Sequence, residues 1–321
     1  MGAGAVGTLL GGLLAHQGSR VHFCPHEPGV PEDVLRLRLP GQRLRVEGLR
    51  PAVRSGAGQN RRDAVDYLLI ALKRHHLKKL VRDSLGDLPA WPRTGVICCN
   101  CEESPRRSLE GAAGAAVCGC LTVMSAVLFQ PGDVEMASPR AVLIHDGDKE
   151  VGRLLTFKAL GIETLTVQDL KPYADSFFLW QLLFLPAALC HSTGAHFLSY
   201  PEGRELACRL LEEGLETFRR RGESLAKLPY QDPRELLRRI QRRPRELAAA
   251  RRLPDRAYNP LLQSLLRGRK TEVGELNSRL VRLATEAGVN AQWNWKLTEK
   301  LERVRRLGFY RDPAELYRAV K

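Results

Sequence analysis

The chain has 321 residues, enough for two domains with a core each, and its hydrophobic content of 44% is ordinary for a globular protein. No apolar run reaches the length of a membrane span, because the most apolar stretch, residues 177–189, is short and holds Gln181 and Pro186. The net charge of +14, carried mainly by arginine, suits anionic cofactors and acids; the basic runs 219–221 and 238–243 hold no interleaved aromatics, so nucleic acid is not expected as a partner.

The chain opens on Gly2-Ala-Gly4-Ala5-Val6-Gly7 and runs into an apolar helix ending at Gly18. This G-x-G-x-x-G spacing provides a tight turn at Gly2, close approach of backbone to a pyrophosphate at Gly4, and close packing of helix on strand at Gly7. The helix N-terminus would hold the phosphates. Such a motif follows a β-strand, yet only Met1 precedes it here, so the first strand is expected to lie upstream of Met1. The apolar run 9–15 lacks the basic region of a signal peptide, and the cytoplasm is the expected compartment.

Residues 18–24 read as the second strand. The positions just beyond it choose between cofactors: an acid binds the ribose hydroxyls and a basic group favours an extra phosphate. They hold Pro25-His26-Glu27, which offers both chemistries. Alternation at 35–39 and 44–46 reads as short edge strands or a hairpin whose arginines face solvent. The apolar run 66–72 reads as a parallel strand buried on both faces, with Lys73 at its carboxyl end, where ligands bind in such sheets. A helix is expected over 74–85, and a buried strand over 95–99 ending at Asn100. Further strands are expected within 117–129 and over 141–144, then a helix over 150–160 stopped by Gly161. Cys98, Cys99, Cys101, Cys118 and Cys120 lack paired C-x-x-C knuckles and are read as buried thiols, with no metal site.

From about residue 172 strand patterns give way to helical ones. Helices are expected over 204–221, from Asp232-Pro233, over 271–288 and over 313–320. The fold class is therefore an α/β Rossmann-type N-terminal domain over 1–172, with its first strand missing or truncated, followed by an all-α C-terminal domain over 173–321. With no linker between them, the cleft at the junction is the natural site.

Gly2, Gly4 and Gly7, Lys73, Asn100, Trp180 opening the first helix of the second domain, and Thr271-Glu272 followed by Asn277 resemble the ketopantoate reductase (2-dehydropantoate 2-reductase) family over nearly the whole length. The resemblance implies NADPH-dependent reduction of a small 2-keto acid or related carbonyl compound, in pantothenate biosynthesis for the family's named reaction. NADH remains the alternative cofactor. It further implies a cofactor site of Gly2, Gly4, Ala5, Val6, Gly7, His26, Lys73 and Asn100. A substrate site would contain Glu272 and Ser264. Members show W-x-K with Asn four residues after the Lys; here Leu182 and Pro186 occupy those places, and the Lys that polarises the keto oxygen is absent. Counting back from Glu272, the family's Asp is Ser264 and its Ser is Pro260. His191 is the candidate replacement proton donor, so the catalytic candidates are Glu272 and His191. A catalytically silent relative that binds a ligand or partner is the competing reading. A homodimer is one oligomeric state compatible with both.

Overall fold

The computed structural model describes residues 2, 4–23, 34–47, 50–51, 65–73, 76–77, 79–80, 94–100, 103–113, 116–249 and 259–321. His26, Glu27 and Cys101 lie outside the described residues; of the helix expected over 74–85, His76, Leu77, Lys79 and Leu80 are described, and all four are helical. The chain forms two compact units, Met1–Leu170 and Lys171–Lys321.

The first unit is built on helix α1 (Ala5–His16), β1 (His22–Phe23), β2 (Val34–Leu39), β3 (Gln42–Glu47), β4 (Arg50–Pro51), β5 (Tyr67–Ile70) and β6 (Gly95–Cys99). There follow α2 (Glu103–Ala113), β7 (Ala116–Val123), β8 (Ala126–Gln130), β9 (Asp133–Met136), β10 (Ala141–His145), α3 (Lys149–Leu154) and β11 (Ile162–Thr166). The main sheet has the order β11-β10-β7-β6-β5. Strands β5, β6 and β7 run parallel, β10 lies antiparallel to β7, and β11 is parallel to β10. A second sheet has the order β3-β2-β9-β8, and β1 pairs in parallel with β4 as a separate ribbon.

Apolar residues dictate these layers. Strand β6 is buried along its whole length, as a parallel strand covered on both faces must be. Helix α1 buries Leu9, Leu10, Leu13 and Leu14 in one core with Leu35 and Leu37 of β2 and Ile97 and Cys99 of β6. Each such leucine stabilises the fold by about 2 kcal/mol relative to exposure. Leu68, Ile70, Val96 and Cys98 face the other way, toward Leu77, Leu80 and Leu109 of α2. The β2–β3 hairpin turns at Pro40-Gly41, where Gly41 has φ 78°, the residue pair of a type II turn.

Two expectations for this unit are revised and one strand is added. The second strand is only His22–Phe23 among the described residues. The helix expected over 150–160 ends at Leu154, because the chain turns to bury Leu155 and Phe157 before a 3-10 turn at Lys158–Leu160. Strand β11, whose Ile-Glu-Thr-Leu-Thr alternation is plain in retrospect, was not anticipated.

The second unit is helical. It comprises α4 (Lys171–Gln181), α5 (Phe184–Leu189), α6 (Gly194–Ser199), α7 (Pro201–Arg220), α8 (Pro233–Arg242), α9 (Pro244–Ala249), α10 (Pro260–Leu266), α11 (Asn277–Glu286), α12 (Gln292–Leu307) and α13 (Pro313–Val320). Asp232 caps α8 by accepting from the N–H groups of Arg234 and Glu235, both at 3.0 Å, with Pro233 at the first helical position as anticipated. Trp180 does not open the first helix; it sits near the end of α4. The helix expected over 271–288 is broken: Val273–Glu275 forms a 3-10 turn, and α11 begins only at Asn277. The kink at Leu276 (φ −114°, ψ −103°) lets both Leu276 and Asn277 enter the core.

Candidate functional site

The glycine loop is shaped by two glycines and left open by the third. Gly2 has φ 88°, and a Cβ there would lie 2.5 Å from the carbonyl oxygen of Ala71, just past β5. A Cβ on Gly7 would lie 1.8 Å from the oxygen of Gly2, so backbone meets backbone and no side chain fits. Gly4 differs. It caps α1 with φ −75°, is exposed, and a Cβ on it would meet no described residue within 4 Å. No described residue therefore imposes glycine at position 4.

Ala5, Val6 and Gly7 form the first turn of α1, which carries no acidic residue and no side-chain cap. Their N–H groups have no acceptor within the helix, and the positive end of its dipole lies there. This arrangement fits the phosphates of a dinucleotide.

The contact of Gly2 with Ala71 places this loop at the carboxyl end of β5. Lys73, half-buried, follows two residues on, and its carbonyl accepts from the N–H of Leu77 at 2.9 Å. Asn100 lies at the same edge, because Ile70 and Cys98 are in parallel register. It adopts φ 52°, which asparagine tolerates better than most residues. Its side-chain amide donates to Thr122 Oγ1 at 2.8 Å and its Oδ1 accepts from the Thr122 N–H at 3.0 Å. Thr122 thus orients Asn100 from β7, a role that sequence spacing gives no sign of. Gly2, Gly7, Lys73 and Asn100 are brought to one edge of the sheet; His26 lies outside the described residues.

Two of the neighbouring thiols are held toward the protonated form by their surroundings. Burial, followed by the nearby Asp146 carboxylate, pushes Cys118 up to about 12. Cys99 and Cys120 stand opposite each other in the parallel register of β6 and β7. The hydrogen bond with Cys99, then burial, holds the Cys120 thiol well above its ordinary range. Among the described residues no three His, Cys, Asp or Glu side chains converge to hold a metal.

In the helical unit Leu182 is fully buried in the core, near the Cα of Gly214 in α7, and supplies neither proton nor charge. Pro186, third residue of α5, accounts for the break at Leu182–Leu183. It has no N–H for the Leu182 carbonyl, and its ring would crowd that oxygen in a continuous helix. The Leu182 oxygen instead accepts from the amide of Asn277 at 3.1 Å.

Ser264 is buried on α10, and its hydroxyl donates back to the carbonyl of Pro260 at 2.8 Å. Asn259 caps α10 and also donates to the carbonyl of Phe184 at 3.1 Å, tying α10 to the start of α5. Glu272, half-buried, heads the 3-10 turn, its carbonyl accepting from the Glu275 N–H at 3.0 Å. Ser264 and Glu272 therefore share one short stretch of chain. His191 is not helical: it lies in the turn after α5 with φ 48°, exposed, its ring stacked on Phe309 with centroids 4.9 Å apart.

A glycine-loop α/β unit followed by a helical unit defines a dinucleotide-fold protein of the Rossmann type. Residues 1–149 match the family model for ketopantoate reductase PanE/ApbA, and residues 183–305 match that for the ketopantoate reductase PanE/ApbA C terminal. The chain belongs to the ketopantoate reductase PanE/ApbA family.

Solved structures of similar fold include a PanE/ApbA family ketopantoate reductase from Ralstonia eutropha JMP134, 19% identical, with a TM-score of 0.71 over 95% of this chain and 97% of that one. D-mandelate dehydrogenase with NADH and anilino(oxo)acetate is 16% identical, with a TM-score of 0.69 over 95% and 96%. The 2-dehydropantoate 2-reductase from Methylococcus capsulatus is 19% identical, with a TM-score of 0.66 over 95% and 96%. No curated protein matches the sequence. No helix of the described residues is long and apolar enough to cross a membrane.

Proposed function

We propose that the chain is a nicotinamide-dependent reductase of small 2-keto acids or related carbonyl compounds. The observation that carries this reading is the uncapped N-terminus of α1, where the described residues leave the space over Gly4 open. Gly4, Ala5, Val6 and Gly7 would hold the pyrophosphate, with Lys73 and Asn100 beside it at the carboxyl edge of the sheet. The dinucleotide supplies a hydride when bound. NADPH is the favoured form, since the family resemblance puts the basic residue after the second strand at His26, and NADH is the alternative. Glu272 and Ser264 are assigned to substrate binding, and His191, exposed and held by Phe309, to proton donation in place of the family's Lys. The cytoplasm and a homodimeric state belong to the same proposal, as does the family's step in pantothenate biosynthesis.

Fluorescence titration with NADPH and NADH, followed by a turnover screen on 2-keto acids, tests this. The reading predicts saturable binding, loss of turnover in Glu272→Ala, and a flattened pH–rate profile in His191→Gln. An unchanged profile in His191→Gln removes that residue as the donor, and absence of binding by either cofactor overturns the whole.

A second reading is favoured by Leu182, buried where the family places its acid. In it the chain is a silent relative that binds a ligand or partner. Saturable cofactor binding without turnover of any 2-keto acid would select it.

A further inference from the structure

The arginines of the β2–β3 hairpin stand in an arrangement that electrostatics alone disfavours. In the antiparallel register Arg36 faces Arg45 and Arg38 faces Arg43. Residues directly opposite on one face have Cβ atoms about 5 Å apart, and like charges there repel. The leucines between them, Leu35, Leu37 and Leu39, point into the core, so all four guanidinium groups lie on the outer face.

The carboxylates on that face neutralise part of the charge. Asp133 of β9 stands opposite Arg36 in register but pairs with Arg38 at 2.5 Å, Glu47 pairs with Arg45 at 2.7 Å, and Glu135 is in register with Arg38. Among the described residues no ion pair holds Arg36 or Arg43, and both are exposed. Beside them Phe129, 52% exposed at the irregularity in β8, lies under the Arg38 guanidinium, 5.0 Å from ring centroid to Cζ. The ring is some ninety positions from the arginines in sequence, so the aromatic interleaving absent from every basic run is present here in space.

We propose that this outer face, Arg36, Arg38, Arg43, Arg45 and Phe129, binds single-stranded nucleic acid, with phosphates on Arg36 and Arg43, which no ion pair among the described residues holds, and a base stacked on Phe129. Arginine matches phosphate oxygens with paired donors, and an exposed ring gives an unpaired base its stacking surface. A phosphate between Arg36 and Arg45 relieves the repulsion that the register builds in. A duplex, with its bases already stacked, makes no use of the ring. The proposal is independent of the reductase reading.

The test is fluorescence anisotropy of the full chain with labelled oligouridylate of about 20 nucleotides at about 25 mM salt, then with rising salt. Saturable binding is expected, weakening with a log–log salt slope of about −1.4 for two phosphate contacts. Arg36→Glu/Arg43→Glu should weaken it at least about tenfold, and Phe129→Ala at least about fivefold. Arg305→Glu/Arg306→Glu changes the net charge equally, at exposed positions at the end of α12, and should leave it within about twofold. Thermal melts confirm that each variant folds. No binding at low salt, or equal losses in the two double variants, overturns the proposal. So does equal affinity for an oligoglutamate peptide together with indifference to Phe129→Ala, which would assign the face to acidic proteins.

Discussion

The amide of Asn277 makes, at 3.1 Å, a hydrogen bond to the Leu182 carbonyl that Pro186 cannot make. The oxygen that a continuous helix would pair with the N–H four residues on is satisfied from α11. The same amide donates to Asn294 Oδ1 at 2.8 Å, and all of these atoms are buried. Asn277→Ala therefore strands a carbonyl and an amide oxygen in the core, at a cost of about 1–3 kcal/mol. In a Pro186→Ala background the chain regains an N–H for Leu182, and the second substitution should cost less. Urea unfolding of the four proteins measures the coupling, expected at about 1 kcal/mol. Strict additivity would separate the two residues.

The three glycines of the first loop should respond differently. Gly7→Ala forces a Cβ onto the Gly2 carbonyl, so it should lower the melting temperature whether or not cofactor is present. Gly4→Val meets no described residue and should lose only about 0.5–1.5 kcal/mol, from its poorer helix cap. It should nonetheless abolish NADPH binding, because the added side chain fills the space the pyrophosphate would take. Undiminished binding in Gly4→Val, measured by fluorescence titration, would remove the cofactor from this loop.

What could be read from the sequence follows from where each signal lies. Helices α8 and α13 were legible because their caps are local: Asp232-Pro233 and Asp312-Pro313 accept from and begin the helices they start. The β2–β3 hairpin was legible from alternation alone. Helix α12 carries no such signal, since Ala291 offers no side-chain cap and the carboxylate that closes its N-terminus, Glu213, comes from some eighty residues away. The same holds at the site. Glycine spacing marks the loop, but the orientation of Asn100 by Thr122 and the burial of Leu182 arise only when distant segments meet.

Asp232 makes a second stability prediction. Besides capping α8 it accepts from the Leu228 N–H at 3.1 Å and pairs with Arg234 at 3.1 Å. Burial works to raise its pKa, but the Arg234 guanidinium and the main-chain donors outweigh this and hold it below the usual carboxylate range. Its contribution is thus present above the unfolded-state pKa and lost as pH falls through the lower folded value. Asp232→Ala should cost about 1–2 kcal/mol at neutral pH, with the difference from the parent shrinking in acid. A difference that stays constant down to strongly acidic pH would deny the carboxylate its role.

Glu213 should behave in the opposite sense. Its carboxylate accepts from the N–H groups of Trp293 and Asn294 at 2.8 and 3.0 Å and from the Asn294 side chain at 2.8 Å. Burial nonetheless dominates, and its pKa is raised above the ordinary 4.5. Between the unfolded value and the raised folded one, the native state binds more protons than the unfolded chain. Stability then falls as pH rises through that window, and the contribution is full only below it. Glu213→Gln removes this titration but opposes an amide donor to three donors with a single oxygen between them. It should be less stable than the parent at neutral pH, by about 1–3 kcal/mol. The slope of its unfolding free energy against pH, measured in urea from acid to neutral, should lack the parent's decline just above the ordinary carboxylate range. Parallel slopes in the two proteins would show that Glu213 keeps an unperturbed proton equilibrium and that α12 is capped without regard to its charge.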